Sequence, residues 1–345
     1  MVHLGHWCWD YIWSLPGRLP VDEILSADYL PRMLGGSVNS AIACAANDGV
    51  EVTTYLAVPS DDAARSLARH LEGCGVQLEF EVVDGGAPWT FVVDSGVTGR
   101  TAFAISGTNL HVQLSNGKAM SSYRMSQCDA VIYGYPCLTP NLDWASRANA
   151  LVDSSVQIHA IDLNGIATGR LPIANVFPDV PVMVKGSIAE WVKWSSGVDA
   201  ISGCIDAVDR GAAVAIATDG SRPPSIITAS DSIWLQRLNR KVQVIGYDGQ
   251  SRHTITHVDP DRWSHMASNT EQISTIGAGD AFLAGCVLEI VAQLRLGVVN
   301  PDRIASRGHI SATDWMKRSS AGSDSSVSDG ILVPRCTDES AAELY

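Results

Sequence analysis

The sequence has few basic residues for its length and no apolar run that approaches the roughly 18 residues of a membrane-spanning helix. Among its 345 residues, 24 Lys and Arg oppose 37 Asp and Glu, which gives a formal net charge of −13 at pH 7. Nucleic acid and anionic membranes are bound by clustered basic side chains, so this balance argues against both partners. The amino terminus also has no basic n-region, and we therefore expect neither a signal peptide nor a transmembrane span.

The sequence also lacks any C-x-x-C pair, although it contains eight cysteines. Several of them lie inside apolar segments such as "IACAA" and "LAGCVL". This distribution is typical of reduced cysteines that fill a core, and it predicts a cytoplasmic protein rather than a disulfide framework. A zinc site at His253 and His257 is poorly supported, because "HTITH" has the pattern of a strand and offers no third ligand.

Strand and helix patterns alternate along the chain, and this alternation predicts a parallel α/β sheet. Strands are predicted at "MVHLG", "VEVTTYLAV", "VQLEFEVV", "DAVIYGYP", "QIHAIDLNG", "VPVMVKGS" and "GAAVAIATDG", and helices at "VNSAIACAANDG" and "SDDAARSLARHLEGCG". Residues 86–106 interrupt the alternation, because two β-rich runs flank "DSGVTG" and predict a hairpin. A hairpin in this context is often a flap over a site, and the carboxyl ends of parallel strands are where ligands bind.

A glycine-rich loop precedes the most apolar helix pattern of the sequence. Residues 277–280 read Gly-Ala-Gly-Asp within "STIGAGDAFLAG", and apolar residues then recur at helical spacing. The start of a helix carries roughly half a positive charge and several unpaired N–H groups, so it can hold an anion. Asp280 is then either an acid that caps the helix or a base beside a bound anion. A dinucleotide-binding loop is not supported, because "GAGDAF" is only a partial G-x-G-x-x-G near the carboxyl terminus.

Six segments, in this order, resemble the ribokinase-like (PfkB) family of small-molecule kinases: "GGSVNSAIACAA", "RTAFAISGTN", "DLN", "VKGSIAE", "ATDG" and "STIGAGDAF". The last is similar to the family's second signature, Asp-Thr-x-Gly-Ala-Gly-Asp-x-Phe. The resemblance covers most of the chain and implies a doubly wound, mostly parallel α/β core with a small β lid. It predicts the core at residues 1–10, 35–83 and 108–345, and the lid at residues 11–34 and 84–107.

The resemblance implies transfer of the γ-phosphoryl group of ATP to a hydroxyl group, with Mg²⁺. Asp280 would accept the hydroxyl proton. In the loop that begins at Gly277, the N–H groups of Ala278, Gly279 and Asp280 would stabilise the moving phosphoryl group.

The resemblance also assigns a nucleotide and metal side to the site. Lys185 would face the phosphates, and Glu190 would hold Mg²⁺ through water. A solvated lysine, a helix-surface glutamate and an ordinary turn at "ATDG" are the alternatives. The residues assigned to this side are Lys185, Ser187, Glu190, Thr218, Gly220 and Thr275.

The acceptor side is assigned in the same way. Asp10, interpreted as the end of the first strand, would grip acceptor hydroxyls, and Asn39 would donate to and accept from a diol. Arg100 is either a lid arginine directed at the site or an exposed residue, and Asp162 and Asn164 either bind substrate or form an Asx turn. The residues assigned to this side are Asp10, Gly35, Gly36, Asn39, Arg100, Asp162 and Asn164.

Three positions depart from the family pattern. Ser274 replaces the signature aspartate that helps to bind an activating monovalent cation, so potassium activation is not expected to carry over. Ser187 replaces the asparagine of Asn-x-x-Glu, and Leu34-Gly35 stands where the family has Gly-Gly. Together these departures indicate an unusual substrate or a weakened enzyme.

The acceptor class stays open between a sugar, a cyclitol and a nucleoside. A nucleoside would need an apolar clamp, for which Trp7, Trp9, Tyr11, Trp13 and Trp89 are candidates, although Trp7 and Trp9 could face the core instead. By analogy with the family, the resemblance also implies a homodimer that forms through the lid. The alternative functions are a nucleoside kinase of the same fold and a catalytically weak homologue that binds nucleotide or sugar as a partner protein.

Overall fold

The computed structural model describes residues 1–14, 32–60, 62–94, 100–105, 128–134, 156–163, 173, 180–220, 222–238, 242–258 and 277–321. The strands are β1 (Val2–Leu4), β2 (Cys8–Ser14), β3 (Arg32–Gly35), β4 (Val52–Pro59), β5 (Val76–Val83), β6 (Trp89–Asp94), β7 (Arg100–Ile105), β8 (Ala130–Gly134), β9 (Ile158–Asp162), β10 (Val182–Ser187), β11 (Val214–Asp219), β12 (Arg222–Ala229), β13 (Gln243–Val244), β14 (His253–His257) and β15 (Val298–Val299). The helices are α1 (Val38–Ala45), α2 (Asp62–Gly73), α3 (Ile188–Trp194), α4 (Ala200–Asp209), α5 (Asp231–Leu238), α6 (Ala278–Arg295) and α7 (Pro301–Ala321). Within the described residues, no helix is both long and apolar enough to cross a membrane.

Nine of the described strands form one large sheet, in the order β14-β12-β11-β10-β9-β8-β1-β4-β5. The strands from β5 to β11 in this order are parallel, β12 is antiparallel to β11, and β14 is antiparallel to β12. The chain starts at β1 near the middle, adds β4 and β5 on one side, and then adds β8 to β11 on the other. The predicted doubly wound, mostly parallel sheet is therefore confirmed.

Helices cover both faces of the large sheet. Ala130 and Ile132 contact the layer that contains α1, α2, α6 and α7, whereas Val131 and Tyr133 contact the layer that contains α3 and α4. Successive side chains of a strand point to opposite faces, so a strand with a helix layer on each side must be apolar throughout. This is why "DAVIYG" and similar segments are continuously hydrophobic rather than alternating.

A second, small sheet has the order β3-β2-β6-β7 and is hereafter called the small sheet. Strands β2 and β6 are parallel, and their outer neighbours are antiparallel to them. Strands β6 and β7 form the hairpin that the sequence predicted. The domain boundaries proposed from the sequence stay a prediction.

The prediction that Asp10 ends the first strand is wrong. Strand β1 ends at Leu4, and Asp10 lies in the middle of β2, opposite Met33 of β3 and Thr90 of β6. The chain leaves the large sheet at Gly5 and His6, where the His6 carbonyl accepts a hydrogen bond from the N–H of Val38 at 3.1 Å. Asp10 is therefore carried by the small sheet.

Candidate functional site

Helix α6 begins at a glycine that no other residue could replace without displacing its neighbours. Gly277 has a φ of +78°. A Cβ atom on it would lie 2.7 Å from Nε1 of Trp315 and 3.0 Å from Nδ2 of Asn39. The left-handed backbone and the close packing both require glycine. The first turn of α6, which contains Asp280, is thereby fixed against α1 and α7.

Lys185 joins the ends of two strands to this first turn. Its Nζ donates to Oδ2 of Asp162 at 3.0 Å and to Oδ1 at 3.2 Å, and both side chains are buried. The same Nζ lies 3.2 Å from the point that a Cβ atom on Gly279 would occupy. Burial disfavours the ammonium, but the carboxylates of Asp162, Asp280 and Glu190 outweigh it and raise the pKa of Lys185. A fixed positive charge therefore lies beside the amino terminus of α6.

Two glycines shape the acceptor side around Asp10. A Cβ atom on Gly35 would overlap the Asp10 carboxylate, so only glycine leaves room for that side chain. Gly36 has a φ of +88°, and a Cβ atom there would lie 2.8 Å from the His6 carbonyl oxygen. Both Gly35 and Gly36 are therefore required for steric reasons, although the pair is shifted relative to the family pattern.

Asn39 connects the acceptor side to the loop before α6. It lies in the first turn of α1 and is buried. Its Nδ2 faces Gly277, as described above, while its Oδ1 is buried and has no hydrogen-bond partner among the described residues. An amide oxygen buried without a partner is costly, which makes it a position where a ligand hydroxyl could donate.

Cys8 was not among the predicted site residues, yet its side chain contacts the Asp10 carboxylate. Its thiol donates to Oδ1 of Asp10 at 3.2 Å. Burial raises the pKa of the Cys8 thiol, and the charges of Asp10 and Asp280 raise it further. The alternation of β2 could have revealed Cys8, because residues two apart in a strand share a face.

Ser187 and Glu190 form a capping box at the start of α3. The Ser187 N–H and hydroxyl donate to Glu190 Oε2 at 2.7 and 2.9 Å, and the Glu190 N–H donates back to Ser187 Oγ at 3.3 Å. On the next strand, Thr218 pairs with Ser187, and its hydroxyl donates to the Gly186 carbonyl at 3.3 Å. Gly220 follows with a φ of +57°. These residues lie at the carboxyl ends of β10 and β11, as predicted.

The described residues contain no group of three or more His, Cys, Asp or Glu side chains that could hold a metal ion by themselves. Mg²⁺ usually takes one or two carboxylates and keeps water and phosphate oxygens as its other ligands. Asp162, Asp280 and Glu190, which all act on Lys185, supply oxygen donors of that kind. The residues therefore fit a magnesium ion that arrives with a nucleotide.

The aromatic side chains of β2 share one face of the small sheet, and that face packs in part against the core. Trp7 and Trp9 are buried in the core that contains α1 and α6, so they are not available to a ligand. Tyr11 and Trp89 contact each other edge to face, with ring centroids 6.3 Å apart. Alternation along β2 and β6 puts them on the face opposite Asp10 and Thr90.

Four positions discussed from the sequence remain without a description of their side chains. Asn164, Ser274 and Thr275 lie outside the described residues, and Arg100 is described only as the first residue of β7. Their assigned roles stay predictions.

No family model and no curated protein matches the sequence. Solved structures do match it over nearly its whole length. Ribokinase from Giardia lamblia has a TM-score of 0.66 at 13% identity, with 97% of this chain and 96% of that chain covered. Adenosine kinase from Sinorhizobium meliloti has a TM-score of 0.63 at 13% identity, covering 92% of this chain and 93% of that chain.

Ribokinase from Arabidopsis thaliana, complexed with ribose and ATP, has a TM-score of 0.61 at 16% identity, covering 93% of this chain and 91% of that chain. Identities this low show the fold alone. In agreement with the resemblance found in the sequence, the chain has the ribokinase-like fold of the PfkB family.

Proposed function

We propose that this chain is a kinase that transfers the γ-phosphoryl group of ATP to a hydroxyl group of a sugar or sugar-like acceptor. The observation that carries the proposal is the convergence of Asn39 and Lys185 on the first turn of α6, which contains Asp280, together with the Asp10 carboxylate that Cys8 and Gly35 hold. An anion-holding helix start, a buried cation and two carboxylates are the groups that phosphoryl transfer to an alcohol requires.

Charge stabilisation would come from the start of α6 and from Lys185. The N–H groups of Ala278, Gly279 and Asp280 belong to the first helical turn and point toward the helix start, so they can donate to phosphoryl oxygens. Lys185 Nζ is held beside Gly279 by Asp162. Magnesium bound with ATP would neutralise phosphate charge there, with Glu190 as its protein ligand through water.

Proton removal is assigned to Asp280. As the acceptor oxygen bonds to the γ-phosphorus, the bond from that phosphorus to the bridging oxygen breaks and ADP leaves. The acceptor hydroxyl loses its proton to the Asp280 carboxylate in the same step. General base catalysis of this kind is worth roughly 10²–10⁴ in rate.

The acceptor would be held by Asp10 and by the buried Oδ1 of Asn39. Beside Asp10, the same face of the small sheet carries Ile12, Met33 and Val92, which form a buried aliphatic cluster. The described aromatic side chains of the small sheet lie on the other face, so none of them flanks Asp10 as a base clamp. This distribution favours a sugar or cyclitol over a nucleoside.

A nucleotide- or sugar-binding protein without turnover is the second candidate. The observation that favours it is the capping box, in which Glu190 Oε2 already accepts two hydrogen bonds from Ser187. A carboxylate committed to a helix start has less capacity for water-mediated metal binding.

The test is acceptor-dependent ADP release with Mg-ATP across ketohexoses, aldoses, sugar acids, cyclitols and nucleosides. Asp280→Asn is expected to lower kcat by roughly 10²–10⁴ while ATP still binds. Asp302→Asn is the matched control, because Asp302 is also an acid in the first turn of a helix, α7, away from the site. Full activity in Asp280→Asn would refute the assigned base, and ATP binding without any acceptor-dependent ADP would favour the second candidate.

A further inference from the structure

Three side chains on one face of the small sheet form a hydrogen-bonded chain. The Thr90 hydroxyl donates to Cys8 Sγ at 3.6 Å, and the Cys8 thiol donates to Asp10 Oδ1 at 3.2 Å. Cys8 and Asp10 lie two residues apart in β2, and Thr90 lies opposite Asp10 on β6. The chain therefore connects the Asp10 carboxylate to the neighbouring strand of the same sheet.

The direction of this chain is fixed by chemistry. An ionised carboxylate can only accept, so the thiol must donate its proton toward Asp10. Burial raises the pKa of the Cys8 thiol well above its ordinary value, which keeps that proton in place at neutral pH. With its only hydrogen committed to Asp10, the sulfur can only accept from Thr90.

The Asp10 carboxylate is also limited by the backbone of β3. Gly35 pairs with Cys8 in the β2–β3 register, and its missing Cβ atom leaves the space that the carboxylate fills. The carboxylate is thus held by a hydrogen bond and by packing. Such a side chain is preorganised for a partner, because its rotamer is fixed before a ligand binds.

We propose that Cys8 is a positioning residue that orients Asp10 toward the acceptor and ties its orientation to strand β6 through Thr90. The kinetic consequences of this inference rest on the proposed kinase function. The hydrogen-bonded chain itself does not, since it involves described residues alone.

The kinetic test compares Cys8→Ala with Cys8→Ser. Loss of one hydrogen bond to a charged group is expected to raise the acceptor KM by about tenfold in Cys8→Ala, with the ATP KM unchanged. Cys8→Ser keeps a donor and is expected to restore most of the acceptor affinity. Cys204→Ala is the control, because Cys204 is also buried but lies in α4 within the other core layer.

Equal increases of the acceptor KM in Cys8→Ala and Cys8→Ser would overturn the proposal, because Cys8 would then only fill space. Thr90→Val has nearly the shape of threonine without the donor, and we expect it to raise the acceptor KM by a smaller factor. An unchanged acceptor KM in Thr90→Val would refute the part of the proposal that ties the orientation of Asp10 to β6.

A spectroscopic test separates this proposal from the kinase function. The S–H stretching band of Cys8, assigned from the difference between wild type and Cys8→Ser, is expected to shift to higher wavenumber in Asp10→Asn, because an amide oxygen is a weaker acceptor. An unshifted band would refute the hydrogen bond whether or not any acceptor is phosphorylated. A shifted band without turnover would support the contact and count against the kinase function alone.

Discussion

Removing the Lys185 ammonium is expected to destabilise the fold by about 3–5 kcal/mol, the usual consequence of removing one member of a buried ion pair. The side chains of Lys185 and Asp162 are only 8% and 2% exposed, so solvent screening is small. Methionine is the substitution of choice, because its similar length limits the cavity that would otherwise add to the loss. Asp162, Asp280 and Glu190 would then lack the cation that they share.

Urea unfolding at pH 7 provides the measurement, with wild type, Lys185→Met, Asp162→Leu and the double variant compared as a cycle. The double variant is expected to regain most of the stability, since replacing both charges with apolar groups is often neutral. A loss of less than about 1 kcal/mol in Lys185→Met, the value of an exposed pair, would refute the reasoning.

The pH dependence of the free energy of unfolding of wild type independently checks whether the charge of Lys185 stabilises the fold. The pKa of Lys185 is raised above its ordinary value of 10.5, mainly by Asp162 acting against burial. The stability that Lys185 contributes is therefore fully present below pH 10.5 and is lost as the pH rises through the raised value. Lys185→Met should lack this alkaline loss. Both Lys185→Met and the double variant lack the ammonium, so kcat should fall by roughly 10²–10³ in each of them. If the double variant recovered turnover together with stability, the role of Lys185 would be structural only.

Three further outcomes are expected. Burial lowers the pKa of His3 from 6.5 to about 3. The stability that neutral His3 contributes is therefore present above pH 6.5, and the free energy of unfolding falls by about 1.4 kcal/mol per pH unit below pH 6.5. A free energy of urea unfolding that did not change between pH 7 and pH 5 would contradict this expectation. Gly35→Ala should displace Asp10 and raise the acceptor KM with little effect on the ATP KM, whereas Gly73→Ala, which has open space around it, should leave both unchanged in the same assay. Ser187→Ala should lose about 0.5–2 kcal/mol in thermal unfolding, and Ser187→Thr should retain most of it.

The fold could be predicted because its signals are local. A parallel strand with a helix layer on each side is apolar along its buried length, so segments such as 130–134 and 182–184 are recognisable without knowledge of their neighbours. The same local pattern misplaced Asp10, because "MVHLGHWCWD" contains β1 and the start of β2, and the break between them at Gly5 and His6 involves a contact with Val38 of α1. Sequence periodicity does not report which sheet a strand joins.

The site could be predicted in part for the same reason. Residues at strand ends and helix starts, such as Lys185 and Asp280, are identified by local pattern and by the family resemblance. The packing of Trp315 and Asn39 around Gly277 joins segments far apart in the chain, and no local pattern encodes it. Cys8 was interpreted as one of many core cysteines, since composition describes a residue type and not the carboxylate beside it.

Ser187 departs from the family pattern, yet it can perform the same structural task as the asparagine that it replaces. Measured against the family's Asn-x-x-Glu, serine at this position indicates weakened handling of metal or phosphate. However, Ser-x-x-Glu before an apolar segment is also the pattern of a capping box, and Ser187 and Glu190 form one in the structure. Serine and asparagine are both good N-cap residues, so the start of α3, and with it the position of Glu190, does not depend on the asparagine. What changes is the hydrogen bonding of Glu190 Oε2, and a defect from this substitution should therefore appear in the magnesium dependence of activity rather than in the fold.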